Sequence, residues 1–312
     1  MGIARGAARL LLAEAAVRPY TGSVLQLGRQ DIYFGSKGLK GWAAEQGVRL
    51  DTTALMQPNK RGVDVGDIDD VSLFRLLGFH RVFSLDYSGH EEADYILDLN
   101  LPVPEDLHGK FDVIFDGGTI EHCFNTFQVM QNIFSMLRTG GRIIHASPSS
   151  NHVDHGFYMF SPTLFWDYYQ TNKWQVRASN LFEYTRRPDL DLWLIYEYTP
   201  GCIDHLSFGG FTNGKLLGIW FIAEKTAQST GNAIPQQGSY VKVWNARPGN
   251  GTMSDDGRLS SPGIRLRIHE LTKGVLRKLP PIFFRVAQFL AFPYLRYLSR
   301  RSKRMPKLVA KF

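Results

Sequence analysis

Residues 111–122, FDVIFDGGTIEH, constrain this chain more tightly than any other stretch. Phe111, Val113, Ile114 and Phe115 read as a short buried strand, which Asp116-Gly117-Gly118 turns before a helix restarts near Thr119. Phe127, Met130, Ile133 or Phe134, and Leu137 then recur at helical spacing. Gly140-Gly141 offer a helix C-cap, and Arg142 to Ala146 is a second apolar strand. Strand, helix and strand in that order make a β-α-β unit with parallel strands. Ligands of an open α/β sheet sit beyond the carboxyl ends of such strands. Asp116, Glu121 and His122 are therefore expected at a ligand-facing edge.

Other segments fit the same sheet. Ser23 to Gln30 (SVLQLGRQ) reads as the first core strand, with Gly28 at a turn where the missing Cβ lets a ligand approach. Residues 31–70 hold six glycines and suggest only one short helix before Asp70, Leu39 to Gln46. Asp70 is the expected N-cap of a helix closed by Gly78, and the strand RVFSL (81–85) ends in Asp86. Tyr95 to Leu97 is a third strand, ending in Asp98. Asp86, Asp98 and Asp116 thus end three successive strands and are expected to rim one ligand. An acid at the tip of the second strand is where nucleotide-binding α/β folds hold ribose hydroxyls, but the GxGxxG dinucleotide fingerprint is missing. Gln175 to Asn180, Leu192 to Tyr198 and Gly218 to Ala223 are further strands, and Val241 to Trp244 follows as an edge segment.

As a set, these segments resemble the class I S-adenosylmethionine-dependent methyltransferases, most closely the branch related to quinone-biosynthesis and sugar methyltransferases. The likeness is carried by VLQLG (24–28), SLD (84–86), ILDLN (96–100), FDVIFDGGTIEH (111–122) and LRTGGRIIHASP (137–148), and covers Gly22 to Thr226. It implies a Rossmann-like, doubly wound, mostly parallel seven-stranded α/β sheet whose last strand, LLGIWFIAEK (216–225), is antiparallel. It also implies S-adenosylmethionine as cofactor. Gln26 and Gly28 would lie at its methionine end, Asp86 on the ribose, and Asp98 with Leu99 beside the adenine. Asp116 and Gly117 would line the sulfonium side, with Glu121 and His122 facing the acceptor. One motif departs from the family: where it has an acid and then Gly-x-Gly-x-Gly, this chain has Gln26, Gly28, Gln30 and Ile32.

A sulfonium methyl donor arrives activated, so the protein mainly aligns acceptor, methyl carbon and sulfur, which is worth about 7–11 kcal/mol. A hydroxyl acceptor also needs a base, worth about 10²–10⁴-fold in rate. The catalytic candidates are His122, His155 and Glu121, with His152 behind them. His152 and His155 belong to NHVDHGFYMFSP (151–162), which is expected to cross the pocket mouth, with Phe157 to Phe160 walling the acceptor. These two histidines and Asp154 fall short of a three- or four-ligand site, so no metal is expected. The function expected is an enzyme that methylates a small-molecule or glycan-type acceptor, by O-methylation. The alternative is a non-catalytic Rossmann-like scaffold or binding protein whose altered glycine turn has lost the cofactor.

Charge divides the chain. The net charge is +7, yet Ile264 to Phe312 hold thirteen Lys/Arg and one acid, leaving −5 for residues 1–263. Four segments are expected: an N-terminal amphipathic helix (1–20), a methyltransferase-like domain (21–245), a Gly/Ser/Asp/Pro-rich linker (246–263) and a basic amphipathic helical tail (264–312). Arg285, Gln288, Pro293 and Arg296 interrupt the tail's apolar run, so it should lie on an anionic membrane surface or pack on the main domain rather than span a bilayer. No nucleic-acid motif is present, so no nucleic-acid partner is expected. Cys123 and Cys202 form neither a disulfide framework nor zinc-ligand spacing, which favours a cytoplasmic protein, peripheral at the inner membrane face if the tail binds lipid.

Overall fold

The computed structural model describes residues 2–54, 67–185, 192–203, 215–245 and 306–312. In chain order its helices and strands are β1 (Gly2–Ile3), α1 (Arg5–Val17), β2 (Ser23–Leu27), β3 (Asp31–Ile32), α2 (Ser36–Glu45), α3 (Asp70–Leu76), β4 (Arg81–Asp86), β5 (Tyr95–Ile96), β6 (Phe111–Asp116), α4 (Thr126–Met136), β7 (Leu137–Ser150), α5 (Pro162–Thr171), β8 (Gln175–Tyr184), β9 (Leu194–Glu197), β10 (Leu216–Glu224), α6 (Gly238–Asn245) and β11 (Leu308–Lys311). The chain divides into two units. The larger comprises Met1–Pro200, Gly209–Pro235 and Pro306–Phe312, and the smaller Gly201–Phe208 and Gln236–Met305. Within the smaller unit the described element is α6, so Val241 to Trp244 is helical rather than an edge strand. The expected linker (246–263) and residues 264–305 of the tail lie outside the described residues.

The larger unit is built on one sheet, in the order β11-β9-β8-β10-β7-β6-β2-β4-β5. Neighbours from β5 to β7 are parallel, and β10 is antiparallel to both β7 and β8. The five parallel strands, counted in chain order, lie 3-2-1-4-5, the doubly wound arrangement whose switch point falls between β2 and β6. The α/β class and the antiparallel β10 agree with expectation. The seven-strand count does not, because β9 and β11 extend the sheet beyond β8. Residues 308–311 of the expected helical tail are therefore strand: the open edge of β9 takes them up, and Trp193 and Phe312 exchange backbone hydrogen bonds of 2.9 and 3.0 Å.

Burial explains why these segments form strands. All five residues of β2 are buried, as expected of a central parallel strand covered on both faces. The apolar run Ile219-Trp220-Phe221-Ile222 in β10 is buried in the same way. The N-terminal helix α1 is part of this core, with Leu10, Leu11, Leu12 and the small residues Gly6, Ala7 and Ala8 facing inward. Two local assignments change. The α3 cap is Asp69, which accepts from the Ser72 N–H at 2.8 Å, while the Asp70 carboxylate grips Arg29. Gly140 and Gly141 do not cap α4. They sit in a bulge of β7, where the partner of β6 jumps from Leu137 to Arg142 and Gly140 takes φ +80°.

Candidate active site

The carboxyl ends of β2, β4 and β5 and the turn after β6 enclose a cleft of about 300 Å³. That is the lower end of the range for small-molecule sites, about 300–1,000 Å³. Gly28, Asp86, Asp98, Leu99 and His122, all read from the sequence as site residues, line it. At φ +72°, a Cβ on Gly28 would stand 3.1 Å from Thr119 Oγ1 and 3.8 Å from Asp86 Oδ2, so a side chain there would be strained and would narrow the cleft. Thr119 Oγ1 donates to the Leu27 carbonyl and ties the two turns together. Asp86 Oδ1 accepts from the Ser88 N–H at 3.1 Å. Asp98 Oδ1 accepts from the Asn100 backbone and side-chain amides at 2.9 and 2.8 Å. Each acid is thus fixed through one oxygen.

Asp116 does not share that cleft. It is fully buried; Oδ1 accepts from the Thr119 and Ile120 N–H groups at 2.9 and 3.3 Å, and Oδ2 meets His145 Nδ1 at 2.7 Å and Ser147 Oγ at 3.2 Å. His145 Nε2 in turn lies 2.7 Å from the Tyr169 hydroxyl. Burial opposes the charge on Asp116, but His145 and the two backbone donors outweigh it and hold the carboxyl below its ordinary value. The third acid of the expected rim is therefore a keystone beneath it. His145, missed in the sequence, is the register partner of Asp116 in the neighbouring parallel strand. A lone histidine in the apolar run RIIHA was the available signal.

Gln26 and Gly117 also lie away from the cleft wall. Gln26 is fully buried within β2, and neither side-chain polar atom has a hydrogen-bond partner among the described residues. A Cβ on Gly117 would fall 2.4 Å from Gln30 Oε1, so the Gln30 carboxamide fills the space over it. Its Nε2 reaches the Gly28 carbonyl at 3.3 Å. The turn is anchored from outside by Asp70, which accepts from Arg29 Nε and Nη2 at 2.7 and 2.8 Å and from the Gln30 N–H at 3.2 Å. An ion pair and a packed amide thus hold this turn. The residues present suit the nucleoside half of S-adenosylmethionine, through Asp86, Asp98 and Leu99. Arg29 and Gln30 line the cleft as well, at the positions where the sequence resemblance led to an expected glycine run.

The three catalytic candidates come together around His122, the one of them that lines the cleft. Glu121 is fully buried, and neither carboxylate oxygen has a hydrogen-bond partner among the described residues. Its Oε1 lies 3.5 Å from His155 Nε2 and 3.9 Å from His122 Nε2. Burial, then the nearby Asp116 charge, push the Glu121 carboxyl up to about 8. Burial lowers both imidazoles, and for His122 the neighbouring His155 adds to the effect. His152 packs on the far side of His155, ring centroids 5.8 Å apart, and its Nε2 lies 3.4 Å from the Tyr184 hydroxyl rather than at Glu121. The segment carrying His155 folds back because Asn151 and Asp154 adopt φ near +65°, a conformation these two residue types tolerate. The Phe157 and Tyr158 N–H groups then donate to the Glu121 carbonyl at 2.9 and 3.2 Å. This segment packs on Glu121 and does not wall the cleft. Phe160 is buried, while Phe157 is exposed in an edge-to-face pair with Phe124, centroids 5.7 Å apart.

No protein-family model matches the chain, and no curated protein matches it. Among solved structures it is similar to the trans-methyltransferase CalH in complex with SAH, at 13% identity over 70% of this chain and 55% of CalH, with a TM-score of 0.35. It is also similar to a Burkholderia thailandensis 1,6-didemethyltoxoflavin-N1-methyltransferase with bound S-adenosylhomocysteine, at 14% identity, 71% and 78% coverage, and a TM-score of 0.28. A geranyl diphosphate methyltransferase in complex with SAM gives 10% identity, 71% and 85% coverage, and a TM-score of 0.37. At such identities and scores the site has to be read from this chain's own residues. They offer a cleft of about 300 Å³ lined by Asp86 and Asp98, with His122 of the carboxyl-imidazole cluster in its wall.

Proposed function

We propose that this chain transfers a methyl group from S-adenosylmethionine to a hydroxyl of a small-molecule or glycan-type acceptor. One observation carries the proposal: Asp86 and Asp98, from the ends of neighbouring strands, line a single cleft beside the β2/β6 switch point, with His122 in the same wall. In this reading Asp86 accepts from the ribose hydroxyls, and Asp98 and Leu99 border the adenine. Gly28 leaves room for the chain of the donor. Bound there, the donor supplies an already activated methyl group. The protein contributes orientation, and His122, kept towards its neutral form by burial, takes the acceptor proton. Asp116 acts as a positioning residue that holds the turn bearing Glu121 and His122.

Calorimetry with S-adenosylmethionine tests this directly: saturable binding is expected, and folded protein giving no heat at high micromolar ligand rejects it. A second reading, a scaffold without cofactor, draws on the Gln30 carboxamide standing where the family has glycine. It requires that Asp86→Ala change neither ligand binding nor melting temperature. We also propose that the basic segment from residue 264 docks on the anionic inner face of a membrane, with the protein cytoplasmic. Among the described residues no helix is long and apolar enough to cross one. Co-sedimentation with vesicles containing phosphatidylserine is expected to retain the full chain and to fail at high salt.

A further inference from the structure

We propose that Glu121, His122 and His155 form a binding site for one divalent transition-metal ion. The three side chains each present one donor atom, and these atoms all lie within 4.8 Å of one another. Donors on a tetrahedral ion with bonds of about 2.0–2.1 Å stand about 3.3–3.4 Å apart. Glu121 Oε1 is 3.5 Å from His155 Nε2 and 3.9 Å from His122 Nε2, so small side-chain rotations close the cage. Two imidazoles and one carboxylate favour zinc, iron, cobalt or manganese over calcium or magnesium, which prefer all-oxygen sites.

A second observation points to the same ligand. The Glu121 carboxylate is fully buried, yet both its oxygens lack a hydrogen-bond partner among the described residues. A buried acceptor left in that state needs a cation or a proton to account for it. The scaffold holds the donors in place. The backbone carbonyl of Glu121 accepts from Phe157 and Tyr158, two and three residues beyond His155, which fixes that histidine's segment to the carboxylate's own residue. A Cβ on Gly156 would stand 3.0–3.2 Å from Glu121 O, Glu121 Cγ and His122 Nδ1, so the segment closes tightly over the pair. Three protein ligands leave a coordination position for water or an acceptor oxygen. Use of that position by an acceptor rests on the methyltransferase reading, and there the ion, not a free His122, would lower the proton affinity of the hydroxyl; the site itself does not rest on that reading.

The test uses the full-length protein, stripped with chelator and dialysed, then titrated with Co²⁺. The expected result is a visible d–d absorption band saturating at one equivalent, displaced by Zn²⁺. Glu121→Gln, which keeps the size of the side chain, and His155→Ala are each expected to weaken Co²⁺ binding by about tenfold or more, at least the cost of losing an outer-shell partner. His90→Ala, at an exposed site outside the cluster, is expected to leave binding unchanged. Folded wild-type protein that takes up no stoichiometric Co²⁺ overturns the assignment, as does equal binding by all three variants. Calorimetry with S-adenosylmethionine in the presence of chelator separates the two proposals, since failure there removes only the cofactor.

Discussion

Single residues divide here into those that face the cleft and those that hold it up. Asp86 lines the cleft through a carboxylate with one oxygen already engaged. Asp86→Ala should therefore lower S-adenosylmethionine affinity by about 10–100-fold, the worth of a hydrogen bond to a charged group, with little change in melting temperature. Calorimetry beside a thermal melt checks both halves. Asp116 behaves in the opposite way. Asp116→Ala strips His145 and two backbone N–H groups of their buried acceptor, and should cost about 3–5 kcal/mol in urea unfolding. Similar unfolding midpoints for wild type and variant would show that the buried relay does not support the turn. Both carboxylates end an apolar strand in the sequence, so strand ends alone could not assign these opposite roles. The neighbouring strand's histidine does so, through register.

At the scale of elements, long apolar runs were legible and short edges were not. Strands β2, β4, β6 and β10 follow from apolar-rich runs, and β2, β6 and β10 are buried along nearly their whole length because both faces of the central sheet are covered there. The β11 strand has four residues and no periodicity of its own, and becomes a strand only because β9 leaves an edge open. The Glu121–His155 contact was equally invisible, since it depends on a turn through Asn151 and Asp154. Helix α1 docks closely on the strand region: a Cβ on Gly6 would stand 1.9 Å from the Trp193 ring. Gly6→Ala should thus destabilise by about 1–3 kcal/mol through overpacking, measured by chemical denaturation. The start of α2 gives a pH signature. Hydrogen bonds from the Ser36 hydroxyl and N–H lower the Asp67 carboxyl, so its contribution is present above the unfolded value near 3.8 and is lost as pH falls through the depressed folded value. Asp67→Asn should narrow the stability difference between pH 6 and pH 3, and an unchanged difference would argue against the Ser36 contact.

For the molecule as a whole, the main revision concerns the tail. Its final residues are the outermost strand of the large sheet, and Phe312 sits beneath the Arg9 guanidinium, 5.1 Å from ring centroid to carbon. Deleting 306–312 should lower the melting temperature and, by baring the β9 edge, promote self-association visible by light scattering. Cutting the chain at residue 263 would therefore confound any lipid experiment, because it removes a strand along with the basic stretch. Excising 246–305 behind a flexible bridge is the cleaner comparison. β11 brings the polypeptide back to the sheet it left after β10, so the chain on both sides of residues 246–305 belongs to a single sheet. Under the proposed membrane docking, a pull on that stretch would load two strands of one sheet rather than one loose chain end.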